Sequence, residues 1–316
     1  MNYLMIVHND LDGTASAAVY SRLVNQLPKK VIYTEPNFLP NILMNINESN
    51  FEKIVIADLG INESNFEKIV KTSRKLSKKF KIEWYDHHIW KEEWKRVLEE
   101  NGVEVHHDIT TCGAGVIYKS FNVEDMVSKK LVSADCSVDL WLHNDPLGEK
   151  LRRIIELDKD IRWKNYLLNK FYNGILWDKE LEVKLEKIMD EELENYNKLA
   201  KFVKILQYEN IRIVVAARWK GRPDISYASQ YLMSKFGADI FVSANGKYVS
   251  FRSNNYDIRS YAVKLGGGGH MKAAGAPLKV PLIYRLLYKL NIKRPFLNYV
   301  SDRILEVIKE VGIKNA

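Results

Sequence analysis

The chain has 316 residues, of which 46% are hydrophobic, 28% charged and 11% aromatic, enough apolar content to bury a core and to exclude a disordered or low-complexity protein. It contains no apolar run of about 18 residues, which excludes a transmembrane helix, and its start, MNYLMIVHNDLDG, lacks the cationic region of a signal peptide, so the expectation is a soluble, cytoplasmic protein. The net charge of +8 is divided unevenly: residues 207–316 carry 18 Lys and Arg against 7 Asp and Glu, whereas residues 1–206 carry 30 against 33. A weakly acidic first part suits cations and a strongly basic second part suits a phosphorylated partner; the plain alternative is a Lys-rich solvated surface. Cys112 and Cys136 are too few for a disulfide framework and read as small buried fillers.

In chain order, YLMIVHND reads as a strand and TASAAVYSRLVNQL as a helix; KKVIYTEP and KIVIADLG are strands, FEKIVKTSRKLSKKF a helix, KIEWYDHH a strand and WKEEWKRVLEEN a helix. This alternation means βαβ units and a mostly parallel sheet, in which polar residues just past the carboxyl ends of strands form the site. The decapeptide INESNFEKIV occurs at 46–55 and again at 61–70, the first copy running into a strand and the second into a helix. From about 150 to 206 the pattern is helical and charged, as in LEVKLEKIMDEELENYNKLAKFVKIL. IRIVVAARW then restarts strand character, DISYASQYLMSKFG is a helix, and ADIFVSANGKYVSFRSN is a hairpin around Asn245-Gly246. A strand-like YAVKL leads into GGGGHMKAAGAPLKV, and residues 281–316 form an amphipathic helical tail. The expected fold is α/β: a catalytic domain over 1–180, a helical linker over 181–206 and a smaller α/β domain over 207–316, with an active-site cleft between the two domains.

Chemistry-bearing residues fall at the expected strand ends. His8, Asp10 and Asp12 lie in HNDLDG, Asp58 in IADLG, Asp86, His87 and His88 after KIEWY, and Asp135 in LVSADCSVD, taken as a fourth apolar run. Taken singly, Asp12 or Thr14 would be a helix cap and Asp58 an ordinary turn residue. Together, imidazoles and carboxylates suit Mn²⁺ or a similar divalent ion, and neighbouring strands would enclose two of them. His106-His107-Asp108 reads as a solvated strand end, a remote role at the site's edge being the lesser alternative, and His143 as a polar group on a helix surface or one that supports a site residue.

HNDLDG, ADLG, DHH and SADC, in that order, resemble the four motifs of the DHH phosphoesterase superfamily, and FRS at 251–253 with GGGGHMKAAGA at 266–276 resemble its DHHA1 substrate domain. The resemblance covers about residues 1–280 and lies with RecJ-like exonucleases, nano-RNases and cyclic-dinucleotide phosphodiesterases. It implies two Mn²⁺ ions, with Mg²⁺ or Co²⁺ as substitutes: one held by His8, Asp10 and Asp58, the other by Asp12, Asp58, His87 and Asp135, with Asp139 as the substitute for Asp135. It further implies that Asp86 orients the histidine pair and that His88 is the general acid or charge stabiliser at the phosphate. Arg252, Ser253, Gly267, Gly268, Gly269 and His270 would bind substrate. The implied activity is hydrolysis of short oligonucleotides or of dinucleotides such as cyclic di-AMP and pApA to 5′-mononucleotides. The alternatives are a single-strand exonuclease and a non-catalytic nucleic-acid scaffold. A homodimer is the family expectation.

Overall fold

A computed structural model describes residues 2–47, 50–158 and 160–316. The first strand, β1 (Tyr3–His8), is buried along its length because Tyr3, Met5 and Val7 serve one face of a sheet and Leu4 and Ile6 the other. It pairs in parallel with β2 (Lys30–Thr34) on one side and β3 (Lys53–Ala57) on the other. Then follow β4 (Lys81–Asp86) and β5 (Val103–His107), also parallel, giving the order β2-β1-β3-β4-β5. The chain leaves β1 in one direction for β2 and crosses over to β3 on its other side, so β1 and β3 flank the switch point where ligands bind in such sheets.

Helices α1 (Leu11–Leu23), α2 (Leu39–Met44), α3 (Glu63–Leu76), α4 (Glu92–Glu100) and α5 (Gly113–Ser120) cover the sheet, followed by α6 (Met126–Asp139), α7 (Pro146–Ile155), α8 (Ile161–Tyr172) and α9 (Lys179–Leu199). One core cluster joins Leu4, Ile6, Ile54, Ile56, Ile82 and Trp84 of the sheet to Leu43, Ile69, Leu76, Trp94 and Leu98 of the helices. The repeated decapeptide meets two fates. Lys53-Ile54-Val55 of the first copy open β3 between β1 and β4, whereas Lys68-Ile69-Val70 of the second lie inside α3. Residues 48 and 49 of the first copy are outside the described residues.

Three sequence expectations change. Asp135 lies in helix α6, not at a strand end; Leu131, Ala134 and Val138 bury at helical spacing, and Asp125 caps the helix by accepting from the Ser128 N–H at 2.9 Å. The charged helix stops at Leu199, and Val203–Tyr208 is a strand, β6. YAVKL is largely helical, within α11 (Arg259–Lys264), and ends where Gly266 takes φ +81.

The chain divides into a unit of Met1–Leu185 and one of Glu186–Ala316. In the second, β6 joins β7 (Ile211–Ala217), β8 (Ile240–Ala244), β9 (Tyr248–Ser253), β10 (Gly268–Gly269) and β11 (Ala273–Pro277) in the order β10-β11-β9-β8-β7-β6. The β8–β9 hairpin turns at Asn245, whose side chain accepts from the Lys247 and Tyr248 N–H groups, both at 2.8 Å. Helices α10 (Ile225–Phe236), α12 (Leu282–Lys289) and α13 (Lys293–Val311) complete the unit. No described helix is long and apolar enough to cross a membrane.

Candidate active site

The polar groups of the first unit gather at the carboxyl edge of its sheet. Asp10, just past β1, caps α1 by accepting from the Gly13 N–H at 3.1 Å, which removes Asp12 and Thr14 as the cap. The His8 Nδ1 lies 2.7 Å from Asp10 Oδ2 and 3.6 Å from Asp58 Oδ2, and its Nε2 is 3.2 Å from Glu35. Asp58 is no solvated turn residue. It is 2% exposed and left-handed, φ +54, a conformation that costs a non-glycine residue on the order of 1–3 kcal/mol and turns the side chain inward.

Asp58 Oδ1 is 3.3 Å from His87 Nε2, which also faces Asp12 at 3.6 Å and Asp139 at 3.5 Å. Asp12 is fixed from behind by the first N–H groups of α5: Gly113 donates to Oδ2 at 2.6 Å and Ala114 to Oδ1 at 2.7 Å. A Cβ on Gly113 would come within 2.8 Å of Asp58 Cβ and 3.0 Å of Asp12 Oδ2, so only glycine lets this helix start approach so closely. Asp86, fully buried, holds His88 twice, accepting from its backbone N–H at 3.2 Å and bonding its Nδ1 at 2.9 Å.

Among the described residues, the triads whose own donor atoms lie within 4.8 Å of one another include His8, Asp10 and Asp58, as the motifs imply, and Asp12, His87 and Asp139. Asp135 is grouped instead with Asp12 and Cys112. Position on a helix decides this, because Asp139 lies one turn beyond Asp135 and reaches the edge where His87 ends. Cys112 and Cys136 are not separate fillers but are bonded to each other, tying the start of α5 to α6.

The electrostatics describe a cavity for cations. Burial pushes the Asp12 carboxyl well above the usual range, and Asp58 and Asp139 add to this. Asp135 is likewise driven up by burial and by Asp12 beside it, and burial moves Asp139 up to about 6 against the pull of His87. Burial opposes charge on His87, yet Asp58, Asp139 and Asp12 outweigh it and raise the imidazole to about 11. His8 rises and Asp10 falls as partners in one ion pair, again against burial. Burial similarly opposes charge on His88, but Asp86 raises it to about 9. Asp58 Oδ2, Asp139 Oδ2 and both Asp135 oxygens are buried without a hydrogen bond. Hard carboxylate oxygens with imidazole nitrogens suit Mn²⁺ or Mg²⁺, so the residues present fit a divalent ion.

Several contributors carried weaker sequence signals. Glu35 sits just past β2 and obeys the same strand-end rule as His8. Gly113 and Ala114 are marked only by the small residues of TCGAG. Lys164, 5% exposed in α8, donates to the Asn9 carbonyl at 2.9 Å and so holds the loop between His8 and Asp10; nothing in its helical surroundings distinguishes it from a surface lysine.

The sequence-derived substrate group lies in the second unit. Arg252 on β9 donates from Nη1 to the Phe251 carbonyl at 2.8 Å. Gly267 and Gly269 lie against β11, where a Cβ would meet the Gly275 and Ala273 carbonyl oxygens at 2.1 and 2.7 Å, while a Cβ on Gly268 would meet nothing within 4 Å. His270 closes the turn between β10 and β11, its N–H donating to the Ala273 carbonyl at 2.8 Å. Ser253 has a structural job: buried, it donates to the Asp239 carbonyl at 2.8 Å and accepts from the Tyr256 N–H at 3.1 Å.

Residues 2–138 match the model of the DHH family, N-terminal domain. Over these residues, fewer than half of the chain, it is similar to that family. Its fold is shared with the DHH domain of a member of a family of ribosomal proteins, at 16% identity and a TM-score of 0.62 over 99% of this chain and 87% of that one. It is shared with the pGpG-specific phosphodiesterase PggH from Vibrio cholerae, at 13% identity and a TM-score of 0.57 over 98% and 100%. Exonuclease RecJ bound to manganese matches at 14% identity and a TM-score of 0.53, over 92% of this chain and 89% of its own. No curated protein matches the chain by sequence.

Proposed function

We propose that this protein is an enzyme of the DHH type, a manganese-dependent phosphodiesterase that hydrolyses short oligonucleotides or dinucleotides, cyclic or linear, to 5′-mononucleotides. The observation that carries the reading is the set of mutually repelling carboxylates, buried Asp12 and Asp58 and half-buried Asp139, around His87, beside the His8–Asp10 pair. His8, Asp10 and Asp58 would hold one ion; Asp12, Asp58, His87 and Asp139 the second, with Asp58 shared and Asp135 backing Asp12. Two divalent ions, when bound, lower the pKa of bound water and neutralise the phosphoryl oxygens.

The chain's own residues supply the remaining requirements. His88, kept protonated at neutral pH by Asp86, provides a positive charge and a proton at the leaving oxygen. Asp86 holds that ring in one orientation. Lys164 anchors the loop between His8 and Asp10 through the Asn9 carbonyl. The net-basic residues from 207 onward, with Arg252, His270 and Gly267 to Gly269, suit the phosphates of a nucleotide. Two proteins of the same fold, a pGpG-specific phosphodiesterase and a RecJ exonuclease bound to manganese, support this chemistry.

The test is product analysis with and without Mn²⁺ on pApA, cyclic di-AMP and labelled strands of increasing length, with Asp58→Ala, His87→Ala as the blank. Dinucleotides cut at least about tenfold faster than long strands, with an inactive blank, support the reading. Degradation of long strands alone assigns the chain to the exonucleases instead, and no Mn²⁺-dependent product from any substrate overturns the proposal.

A further inference from the structure

We infer that His107 is a positioning residue for this reaction, holding His88 in place through the His88 backbone carbonyl. The inference rests on the functional reading above, in which the His88 ring faces the phosphate. β5 pairs with β4 so that Asp86 lies opposite His107, and the Asp108 N–H donates to the Asp86 carbonyl at 3.2 Å. From that register the His107 Nε2 reaches past the end of β4 to the His88 carbonyl at 2.6 Å. The distance requires a proton between a nitrogen and a carbonyl that can only accept, so Nε2 is the donor.

The donor is itself fixed. The His107 ring stacks on Trp90, centroids 4.6 Å apart and planes 18° from parallel, and Trp90 packs edge-on against the core residue Trp84 at 5.6 Å. Beyond the strand, Asp108 accepts from the Thr110 N–H at 2.9 Å and from Lys119 at 2.7 Å, closing the turn that follows. Neighbouring His106 takes the other face of the sheet, stacking on Tyr85 at 4.5 Å, and has no part in the arrangement.

The consequence is confined to His88. Asp86 binds its N–H and its Nδ1, His107 binds its carbonyl, and Gly60 packs so closely that a Cβ there would lie 2.8 Å from His88 Cγ. The peptide planes on both sides of His88 are therefore held. Without the His107 donor the plane that follows His88 can rotate, and the ring moves with it while Asp12, Asp58, Asp139 and His87 stay where they are. A loss of orientation at an intact metal site lowers turnover rather than ion or substrate binding.

The experiment compares His107→Phe, which keeps a ring to stack on Trp90 but has no donor, with His107→Gln, whose amide restores one. His107→Phe is expected to lower kcat about tenfold, with KM and the Mn²⁺ requirement within about twofold of wild type, and His107→Gln to recover most of the loss. Hydrogen exchange of the backbone amides between residues 86 and 91 should rise in His107→Phe and not in His107→Gln. A kcat for His107→Phe within about twofold of wild type, equal losses in both variants, or a loss confined to KM or Mn²⁺ demand overturns the inference. If wild type hydrolyses nothing, the functional reading fails by itself. The exchange comparison, made at matched thermal stability, then decides the positioning claim, and unchanged exchange in His107→Phe refutes it.

Discussion

Asp139 and Asp135 stand one helical turn apart, and replacing each by Asn separates the proposed metal ligand from the residue proposed to support one. Asp139 Oδ2 is 3.5 Å from His87 Nε2 and lacks a hydrogen bond, as expected of a ligand to an ion it would share with Asp12 and His87. Asp135 is fully buried beside Asp12, and burial and Asp12 both drive its carboxyl up, so an uncharged amide should replace it at little cost. Loss of a residue that only supports a ligand weakens metal binding by about 10–100-fold at most, and loss of a charged ligand should exceed that range. A weakening beyond about 100-fold removes about 2.7 kcal/mol of metal-linked stability at a saturating Mn²⁺ concentration. For a protein of 316 residues, whose unfolding entropy is about 0.66 kcal/mol/K, that is a fall of about 4 °C in the Mn²⁺-dependent part of Tm. The assay is thermal unfolding of wild type and both variants in EDTA and in a fixed excess of Mn²⁺. Asp139→Asn should melt at or above wild type in EDTA, because one repelling charge is gone, and gain almost nothing from Mn²⁺. Asp135→Asn should keep most of the wild-type gain. The reverse pattern, with the gain kept in Asp139→Asn and lost in Asp135→Asn, would refute the assignment.

Two further predictions concern stability. Burial works against the Glu83 charge, but Lys53 at 2.8 Å, Lys81 at 2.9 Å and the Tyr20 hydroxyl at 2.7 Å hold its pKa down to about 2. A depressed carboxyl adds stability that is complete above the unfolded value near 4.5 and lost as pH falls toward 2; after solvent screening it is on the order of 2 kcal/mol. Urea unfolding of Glu83→Gln should show that deficit at neutral pH and a flatter acid limb, and parallel pH curves for the two proteins would refute it. The Cys112–Cys136 bond closes a loop of sequence separation 24, worth about 3 kcal/mol in chain entropy. Thiol titration of the denatured, unreduced protein should find no free thiol, Cys136→Ser should lower the urea midpoint accordingly, and free thiols without reduction would contradict the pairing.

The strand–helix alternation, the parallel first sheet and the strand-end placement of His8, Asp58 and Asp86 were legible in the sequence because they rest on local signals. These are apolar runs of strand length, polar residues at their ends and helical spacing between them. The same logic failed at LVSADCSVD, where a short apolar run fits a strand or a buried helix and only the packing of α6 selects the helix. The two copies of INESNFEKIV make the point within one chain: the same Lys-Ile-Val becomes a central strand where β1 and β4 flank it and a helix turn where α3 covers the sheet. Sequence by itself determined which residue types could bind a cation and that His8, Asp58 and Asp86 end strands; that those strands are neighbours is a fact of the sheet order. Tertiary structure alone decided that Asp139 meets His87, that the first N–H groups of α5 grip Asp12, that the two cysteines join, and that His107 holds His88. Each of these joins residues between 19 and 102 positions apart, or turns on the helical phase of a single segment, and no local propensity reaches that far.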